Sequence, residues 1–324
     1  MSVTPKALAQ LMAAELRCHP QFLDHETALK VLEQKFARPA LSRAHENGEA
    51  HVLFDEGVCR AVVLRGIQTS EPFGFDTEIL NIHCIPADVE ALAWVENKIT
   101  KLPPMGSLVR TLTLSSAHQG LLPSLLASGL GIEALELLGD TEPSLERLVA
   151  EKKPLQHFRA AGLSHVPMAP AHLEAVVDLR RRTFMAHPEY CWFGAHPKHL
   201  EKYHSNMKQE LQEDHWWWVL LDGDNVVGNF GSTVAPNNQL WGPRGGLEII
   251  FEPEYRGRGL ASTAYCLTLK GLKAKGLPVY KGATAQPAVM ALSKIMGRQV
   301  QQIHLRSNAD FEPAHFNLLL PDNS

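Results

Sequence analysis

The sequence has 324 residues, of which 45% are hydrophobic and 20% are charged, so it can form a packed core and is neither disordered nor collagen-like. At roughly 100–200 residues per domain, this length corresponds to two domains or one large one. The formal net charge of -4 gives no global electrostatic attraction to nucleic acid or to an anionic membrane.

Cysteine usage and hydropathy bear on the compartment. The five cysteines are scattered and form no C-x-x-C motif, which is typical of free thiols in a reducing environment. The first twenty residues do not resemble a signal peptide, and no stretch reaches the roughly 18 apolar residues of a membrane span. We therefore expect a cytoplasmic protein without a nucleic-acid or membrane partner, and the oligomeric state stays open.

Alternating helices and strands are predicted in the first part of the chain. The predicted helices cover 5–16, 26–36, 86–101 and 119–128, and the predicted strands cover 50–55, 58–65, 78–84, 108–114 and 132–138. The segment 139–157 is charged and poorly periodic, so we interpret it as a linker. A first domain is therefore predicted over residues 1–150.

The same order of elements follows in the second part. The predicted helices cover 171–185, 197–212, 259–275 and 287–296, and the predicted strands lie near 158–162 and at 216–221, 226–233, 246–252, 277–281, 299–306 and 314–319. Hairpins that alternate with βα units predict an α/β fold on a mixed sheet. The second domain is predicted over residues 157–324.

Two pairs of segments indicate an internal duplication. The hairpin-like run 51–65 corresponds to 216–231, and the glycine-terminated helix end at 125–130 corresponds to 292–297. The two offsets are nearly equal, which favours a duplication. Hairpins and glycine-terminated helices are also common, so chance similarity remains the alternative.

A glycine-rich loop is the most informative motif. A β-rich run turns at Pro253 and continues as Arg256-Gly257-Arg258-Gly259 into a predicted helix that begins Leu260-Ala261-Ser262. The first amides of a helix lack internal partners and attract anions, and the two glycines allow a ligand to approach the backbone. The pattern is neither a Walker A loop nor G-x-G-x-x-G. It predicts a phosphate or pyrophosphate site, against the alternative of a glycine-rich turn before a surface helix.

This loop resembles the acetyl-CoA loop of the GNAT acyltransferase superfamily, Arg/Gln-x-x-Gly-x-Gly/Ala, with Arg256, Gly259 and Ala261 at the fixed positions. A later helix, 286–298, resembles the family's Asn-initiated helix that ends Leu-Tyr-x-x-x-Gly-Phe. The resemblance covers about 158–320. It implies a tandem of two GNAT-like acyltransferase folds, with the second half as the acetyl-CoA-binding catalytic domain.

The resemblance also implies which residues hold acetyl-CoA as cosubstrate. These are Ile250, Phe251, Arg256, Gly257, Arg258, Gly259, Leu260, Ala261, Ser262 and, in place of the family's Asn, Gln286. A backbone N–H near Ile250–Phe251 is expected to donate to the thioester oxygen as that oxygen gains charge.

Two residues are the catalytic candidates. Glu248 lies on the strand where family members often carry an acidic base, although an exposed strand carboxylate is the alternative interpretation. Glu252 lies on the same strand face and ranks below it. Ser293 occupies the position of the family's proton-donating Tyr, and Arg298 replaces its Phe. A Ser hydroxyl is a poor acid, so Ser293 is expected at most to pass a proton through a hydrogen bond or to orient a water molecule.

Aromatic and histidine residues cluster near 190–218. Tyr190, Trp192 and Phe193 are candidates for the acceptor pocket, whereas three consecutive tryptophans, 216–218, alternate faces and are more typical of a core. Cys191, His196, His199 and His204 match no zinc template in their spacing, so we expect no metal site.

The first half has the family's order of elements but lacks the loop. Asp88 and Glu90 stand where phosphate would bind, so this half is expected to be a degenerate GNAT-like domain. The chain is therefore expected to be an acetyl-CoA-dependent N-acetyltransferase for a small-molecule or peptide amine. The alternatives are a non-catalytic acyl-CoA-binding sensor and, ranked last, an aminoacyl-tRNA-dependent transferase.

Overall fold

Contacts within the chain define two units. The computed structural model describes residues 3–70, 75–103, 105, 109–152, 156–186, 195–213 and 216–307. The first unit contains the described residues up to Leu135, Gln239–Gly242 and those from Val300 onward, and the second contains the described residues of Glu136–Asn238 and Pro243–Gln299.

The first part of the chain alternates short helices with strands. Its helices are α1 (Pro5–Leu16), α2 (Glu26–Leu32), α3 (Arg38–Asn47), α4 (Val89–Ile99) and α5 (Leu122–Ala127). Its strands are β1 (Gly48–Asp55), β2 (Val58–Ser70), β3 (Phe75–Cys84), β4 (Val109–Ser115) and β5 (Leu130–Asp140), which passes into the second unit after Leu135.

The second part repeats this alternation. Its helices are α6 (Thr141–Lys152), α7 (His157–Ala160), α8 (Leu173–Ala186), α9 (Pro197–Glu210), α10 (Leu260–Ala274) and α11 (Pro287–Met296). Its strands are β6 (Ser164–Pro167), β7 (Trp216–Asp222), β8 (Asn225–Ala235), β9 (Arg244–Phe251), β10 (Val279–Thr284) and β11 (Gln299–Ser307).

In the first unit the strands follow the order β1-β2-β3-β4-β11, with β5 beside β11. β1 and β2 form an antiparallel hairpin, β3 is antiparallel to β2, and β4 is parallel to β3. The crossover between the parallel strands carries α4, as parallel pairing requires. β11, which follows α11 in the chain, completes this sheet by pairing antiparallel with β4.

In the second unit the strands follow the order β6-β7-β8-β9-β10, with β5 beside β10. Helices α8 and α9 cover one face through Val176 and Met207, and α6, α10 and α11 pack against the other. The three tryptophans alternate as expected: Trp217 packs with α8 and α9, and its two neighbours pack on the α10 side. Trp217 is a buried core residue, and Trp216 and Trp218 are partly buried against the core.

The two units repeat one pairing pattern. In each, two antiparallel pairs lead to a parallel pair whose crossover is a helix, through β1 to β4 in the first unit and through β7 to β10 in the second. Both hairpins carry an irregularity near the turn, at Leu53/Phe54 and at Leu220/Leu221. This shared topology supports the duplication inferred from the sequence.

Two expectations about local structure are wrong, and a third element is confirmed but longer than expected. The segment 139–157 is not a linker, because it contains the end of β5 and α6, whose Leu148 is buried against α10 and α11. The strand expected near 158–162 is helix α7, because Phe158 turns into the core beside Phe230. The helix expected at 26–36 continues through a π-helical turn, Glu33–Ala37, into α3.

Other expectations are not tested by these elements. The strand expected at 314–319 lies outside the described residues. The division of the duplicated sequence into 1–150 and 157–324 stays a prediction. Among the described helices, none is both long and apolar enough to cross a bilayer.

A buried carboxylate organises the first unit. Glu15 of α1 accepts hydrogen bonds from His118 Nε2 at 2.8 Å, His83 Nδ1 at 3.0 Å and the Cys84 backbone N–H at 3.1 Å. Burial raises the pKa of Glu15, but the charge on His83 and the hydrogen bonds from His118 and His83 outweigh this effect and hold the pKa below its ordinary value. The carboxylate therefore stabilises the fold above its unfolded-state pKa, and this contribution is lost as the pH falls through the folded pKa.

We expect Glu15→Gln to lower the free energy of unfolding of the first unit by about 2–4 kcal/mol at pH 7, because it removes a buried charge from its partners. Glu26→Gln is the matched control, since Glu26 forms an exposed pair with Lys30, and it should change little. Urea unfolding at pH 7 and pH 4 checks both variants. Equal transition midpoints for the two variants at pH 7 would contradict the prediction.

Candidate functional site

A gap between two parallel strands defines the site of the second unit. β10 pairs with β9 only at its beginning, through Val279, Tyr280 and Lys281, opposite 244–246. β9 continues to Phe251 and remains paired with β8 along its whole length. Beyond Gly246 the edge of β9 that faces β10 therefore has no partner strand in the register, and the backbone N–H groups along this edge are available to a ligand.

The direction of the β9 amides follows from the pairing. Glu252 N–H donates to the Val227 carbonyl at 3.0 Å, so Glu252 and Ile250 direct their backbone groups towards β8. Successive residues alternate, so Ile249 and Phe251 direct theirs into the gap. Of the two amides predicted as oxyanion donors, that of Phe251 therefore has the required direction.

The loop after β9 ends at an open helix N-terminus. Gly257 and Gly259 have φ of +75° and +76°, in the left-handed region that favours glycine. Gly259 is the N-cap of α10, and no side chain caps this helix. The first amides of α10 are therefore available to an anion, and the helix dipole favours negative charge there.

The two loop arginines have different surroundings. Arg256 donates through Nε and Nη2 to the Phe251 carbonyl at 3.2 Å, so it fixes the loop to the end of β9. Arg258 lies over the Tyr255 ring, 5.3 Å from its centroid, and lines an open cleft of about 750 Å³. Tyr255 is itself held by Asp222, 2.5 Å away.

The corresponding helix of the first unit is closed to anions. Asp88 caps α4 by accepting from the Ala91 N–H at 3.0 Å, and Arg60 donates to both Asp88 oxygens at 2.6 and 2.7 Å. A carboxylate thus already occupies the place that an anion would take. This geometry supports the expected loss of phosphate binding in the first half.

His157 is a loop contact that the sequence did not reveal. Its Nδ1 lies 3.0 Å from the Gly259 carbonyl and 3.1 Å from Ser262 Oγ, and a Cβ on Gly259 would lie 2.9 Å from the same nitrogen. Because His157 is about one hundred residues away in the chain and its segment was interpreted as a linker, only the tertiary structure identifies it.

Glu248 is an ion-paired carboxylate on the α8 and α9 side of β9. Its Oε1 accepts from Arg180 Nη1 at 2.7 Å and from Tyr203 Oη at 2.8 Å. The Arg180 guanidinium stacks over Tyr203, 4.0 Å from its centroid. Burial and the Glu248 charge raise the pKa of Tyr203 well above its ordinary value, so Tyr203 is a neutral donor here. The role of Glu248 as a base stays a prediction.

Glu252 belongs to a separate charged group. It accepts from Arg182, which also binds Asp178, and all three line the same cleft as Arg258. Glu248 lies on β9 and Glu252 directly follows it, and both are bound by arginines of α8, as expected for two carboxylates on the same side of the strand. Nothing in this group distinguishes Glu252 as the better base.

Ser293 is fully buried inside the second unit. Its Oγ accepts from Arg298 Nη1 at 3.1 Å. The hydroxyl is thus engaged with the residue that replaces the family's Phe, and its part in proton transfer stays a prediction. Gln286 is the N-cap residue of α11 without a capping side-chain hydrogen bond, which leaves its amide available to a ligand.

The expectations for an acceptor pocket and against a metal site concern the segment around residue 190. Tyr190, Cys191, Trp192 and Phe193 lie outside the described residues. Among the side chains that the structure does describe, no group of three or more His, Cys, Asp or Glu could hold a metal ion. His204 binds Glu174 at 3.0 Å.

No family model and no curated protein matches the chain. Solved structures do match it. A GCN5-related N-acetyltransferase from Sphaerobacter thermophilus is 14% identical, with a TM-score of 0.54 over 94% of this chain and 93% of that chain. A GNAT-family acetyltransferase from Colwellia psychrerythraea is 10% identical, with a TM-score of 0.51 over 94% of this chain and 97% of that chain.

These likenesses identify the fold. The chain has the GNAT N-acetyltransferase fold, on a mixed α/β sheet. Because the strand pairing of the first unit recurs in the second, the chain comprises two GNAT-like halves.

We expect Gly259→Ala to destabilise the second unit more than Gly257→Ala. Both positions have a left-handed backbone, which costs a non-glycine residue about 1–2 kcal/mol. Only at Gly259 would the new methyl also meet His157, since nothing lies within 4 Å of a Cβ on Gly257. Urea unfolding measures the difference, and His157→Ala should reduce it. Equal costs for the two glycine substitutions would refute the contact.

Proposed function

We propose that the second unit binds acetyl-CoA and transfers its acetyl group to an amine. The observation that carries the proposal is the gap between β9 and β10, which lies beside an uncapped helix N-terminus. An extended ligand can pair with the free edge of β9 while its anionic end meets the first turn of α10. Pantetheine joined to a pyrophosphate has this combination of amide and anionic groups.

In this proposal the loop residues have different roles in binding acetyl-CoA. The amides of Leu260 and Ala261, with the Ser262 hydroxyl, are proposed to hold the pyrophosphate. Gly257 and Gly259 give the left-handed turns that expose these groups. In the same proposal Arg258 adds positive charge, Arg256 fixes the loop to Phe251, and the free amides of Ile249 and Phe251 with the Gln286 side chain meet the pantetheine arm.

The transfer itself needs an amine, a base and an oxyanion donor. The amine nitrogen attacks the thioester carbon, the C–N bond forms, and the C–S bond breaks with its electron pair left on sulfur. Phe251 N–H is proposed to stabilise the oxyanion. Glu248 is proposed to take the amine proton, directly or through a water molecule. The acceptor would then approach from the side of β9 on which Arg180 and Tyr203 lie.

A non-catalytic acyl-CoA-binding sensor is the second candidate. Two observations favour it: Glu248 is engaged by Arg180 and Tyr203, and the residue at the family's Tyr position is a buried Ser. Both candidates require the same cosubstrate site. Turnover with an amine distinguishes them.

We expect acetyl-CoA to bind the wild-type protein with micromolar affinity, and Gly259→Glu to abolish binding because it places bulk and negative charge at the anion site. Gly276→Glu is the matched control, since Gly276 has a φ of +68° and open surroundings beyond the other end of α10. It should bind like the wild type. Isothermal titration measures all three, and absence of binding to the wild type would remove both candidate functions.

If an amine screen finds turnover, we expect Glu248→Gln to lower kcat by about 10²–10⁴-fold, because it removes the base. Acetyl-CoA affinity should stay within about threefold, since the carboxylate lies outside the phosphate loop. Glu174→Gln, a change to an exposed carboxylate of α8, should leave kcat unchanged. An unchanged kcat in Glu248→Gln would assign the proton transfer to another group.

A further inference from the structure

A buried cation lies beside the gap. The Arg298 side chain is 6% exposed, and its Nη2 donates to the Gly282 carbonyl at 3.0 Å and the Leu137 carbonyl at 3.1 Å. Its Nη1 donates to Ser293 Oγ at 3.1 Å and to Tyr265 Oη at 3.4 Å. Within the described part of the chain, no carboxylate forms an ion pair with it and its buried Nε has no hydrogen-bond partner.

Burying an unpaired charge destabilises the folded protein, so the presence of Arg298 at this position requires an explanation. The faces of Tyr280 and Tyr265, at 5.3 and 6.0 Å from the guanidinium carbon, compensate part of this cost. Four neutral oxygens compensate more, but none of them carries negative charge. Neutral partners thus accept from both terminal nitrogens of the guanidinium, its Nε stays unpaired among the described residues, and the site is still electrostatically positive.

The position of Arg298 relates this charge to the gap. Gly282 is the first β10 residue beyond the paired stretch. A Cβ on Gly282 would lie 3.2 Å from Arg298 Nη2 and 3.2 Å from the Leu247 carbonyl of β9. The guanidinium therefore lies at the closed end of the gap, where β9 and β10 begin to separate.

We propose that Arg298 electrostatically stabilises the thiolate that leaves during acyl transfer; this rests on the proposed function. When the C–S bond breaks, its electron pair stays on sulfur, and the guanidinium remains protonated throughout. No proton donor is then needed at the moment of cleavage, and the thiolate takes its proton from solvent afterwards. Ser293 and Tyr265 are the positioning residues that hold the guanidinium.

The titratable groups around Arg298 should not obscure the ionisation of a bound thiol near pH 7.5. Burial raises the pKa of Tyr280 to about 12, so this phenol stays neutral near pH 7.5. On the neighbouring strands, Lys281 and Glu136 pair with each other at 3.0 Å, the Glu136 charge also acts on Arg244, and the Asp140 charge contributes to the raised pKa of Tyr280. On the helix side, Arg147 of α6 lies against Gly297, and Tyr265 of α10 faces the Arg298 guanidinium. Burial raises the pKa of Cys266, which also lies on α10.

Proton release on binding tests the proposal without knowledge of the acceptor. Free CoA and its S-methyl thioether are titrated into the wild-type protein at pH 7.5, in two buffers of different ionisation enthalpy. If Arg298 lowers the thiol pKa by about 1.5 units from roughly 8.5, CoA binding should release roughly 0.5–0.7 proton. The thioether has no ionisable sulfur and the same phosphates, so the difference in proton release between the two ligands measures ionisation of the thiol.

Variants then assign the effect to this residue. Arg298→Met should reduce proton release below about 0.2 while acetyl-CoA affinity stays within about threefold, and Arg298→Lys should retain at least half of the release. Lys273→Met, which removes an exposed positive charge paired with Glu142, should behave like the wild type. If Arg298→Met fails to fold, Ser293→Ala should still reduce the release.

The outcomes are separable. Acetyl-CoA binding without proton release on CoA binding overturns the role of Arg298 and leaves the proposed function intact. Equal release in the wild type and Arg298→Met also overturns it. No acetyl-CoA binding to the wild type overturns the proposed function itself, and with it the inference.

Discussion

The separation of β9 from β10 after Gly246 is the constraint on which the rest of the second unit depends. Up to that point β10 pairs with β9. Gly245 and Gly246 let β8 approach the same stretch of β9 closely, since a Cβ on Gly246 would lie 2.5 Å from Thr233 Oγ1 and one on Gly245 2.6 Å from Ser232 Oγ. Beyond it, β9 keeps only β8 as a partner. Its other edge, the loop that follows it and the buried Arg298 thus meet at one opening.

The two halves show how one topology can carry an anion site or lose it. In both, a parallel pair is joined by a helix whose N-terminus has unpaired amides. In the first half the capping carboxylate of Asp88 satisfies an amide, and Arg60 neutralises the carboxylate. In the second half Gly259 provides no side chain, so the amides remain available. The N-cap residue, Asp88 in the first half and Gly259 in the second, therefore determines whether the helix N-terminus is available to an anion.

The two faces of the sheet in the second unit differ in whether their charged side chains are paired with an opposite charge. On the α8 and α9 side, Glu248 is matched by Arg180 and by the neutral phenol of Tyr203. On the α10 and α11 side, Arg298 is surrounded by neutral oxygens and aromatic rings. The matched pair is internally compensated, whereas the unmatched cation favours any negative charge that develops nearby.

Ser293 and Arg298 are best understood together. The small side chain at 293 leaves its hydroxyl within 3.1 Å of the guanidinium, and the arginine at 298 reaches back over the end of α11 to meet it. In the sequence these were two independent departures from a family pattern. Their contact is made by the turn at Gly297, which has a φ of +72° and ends the helix.

The sequence by itself determined the local elements and the chemistry of the loop. Period-two patterns predicted both hairpins, period-3.6 patterns predicted helices α10 and α11, and the glycines marked the loop between β9 and α10. These signals are readable because they depend only on neighbouring residues. The prediction from sequence failed at 139–162. There α6 and α7 show no clear periodicity and are stabilised by residues far away in the chain, which pack against Leu148 and Phe158. Only the tertiary structure decided that β11 completes the first unit, that His157 supports Gly259, that Glu248 is paired, and that Arg298 lies at the gap. Each of these depends on contacts between residues far apart in the chain, which no local pattern encodes.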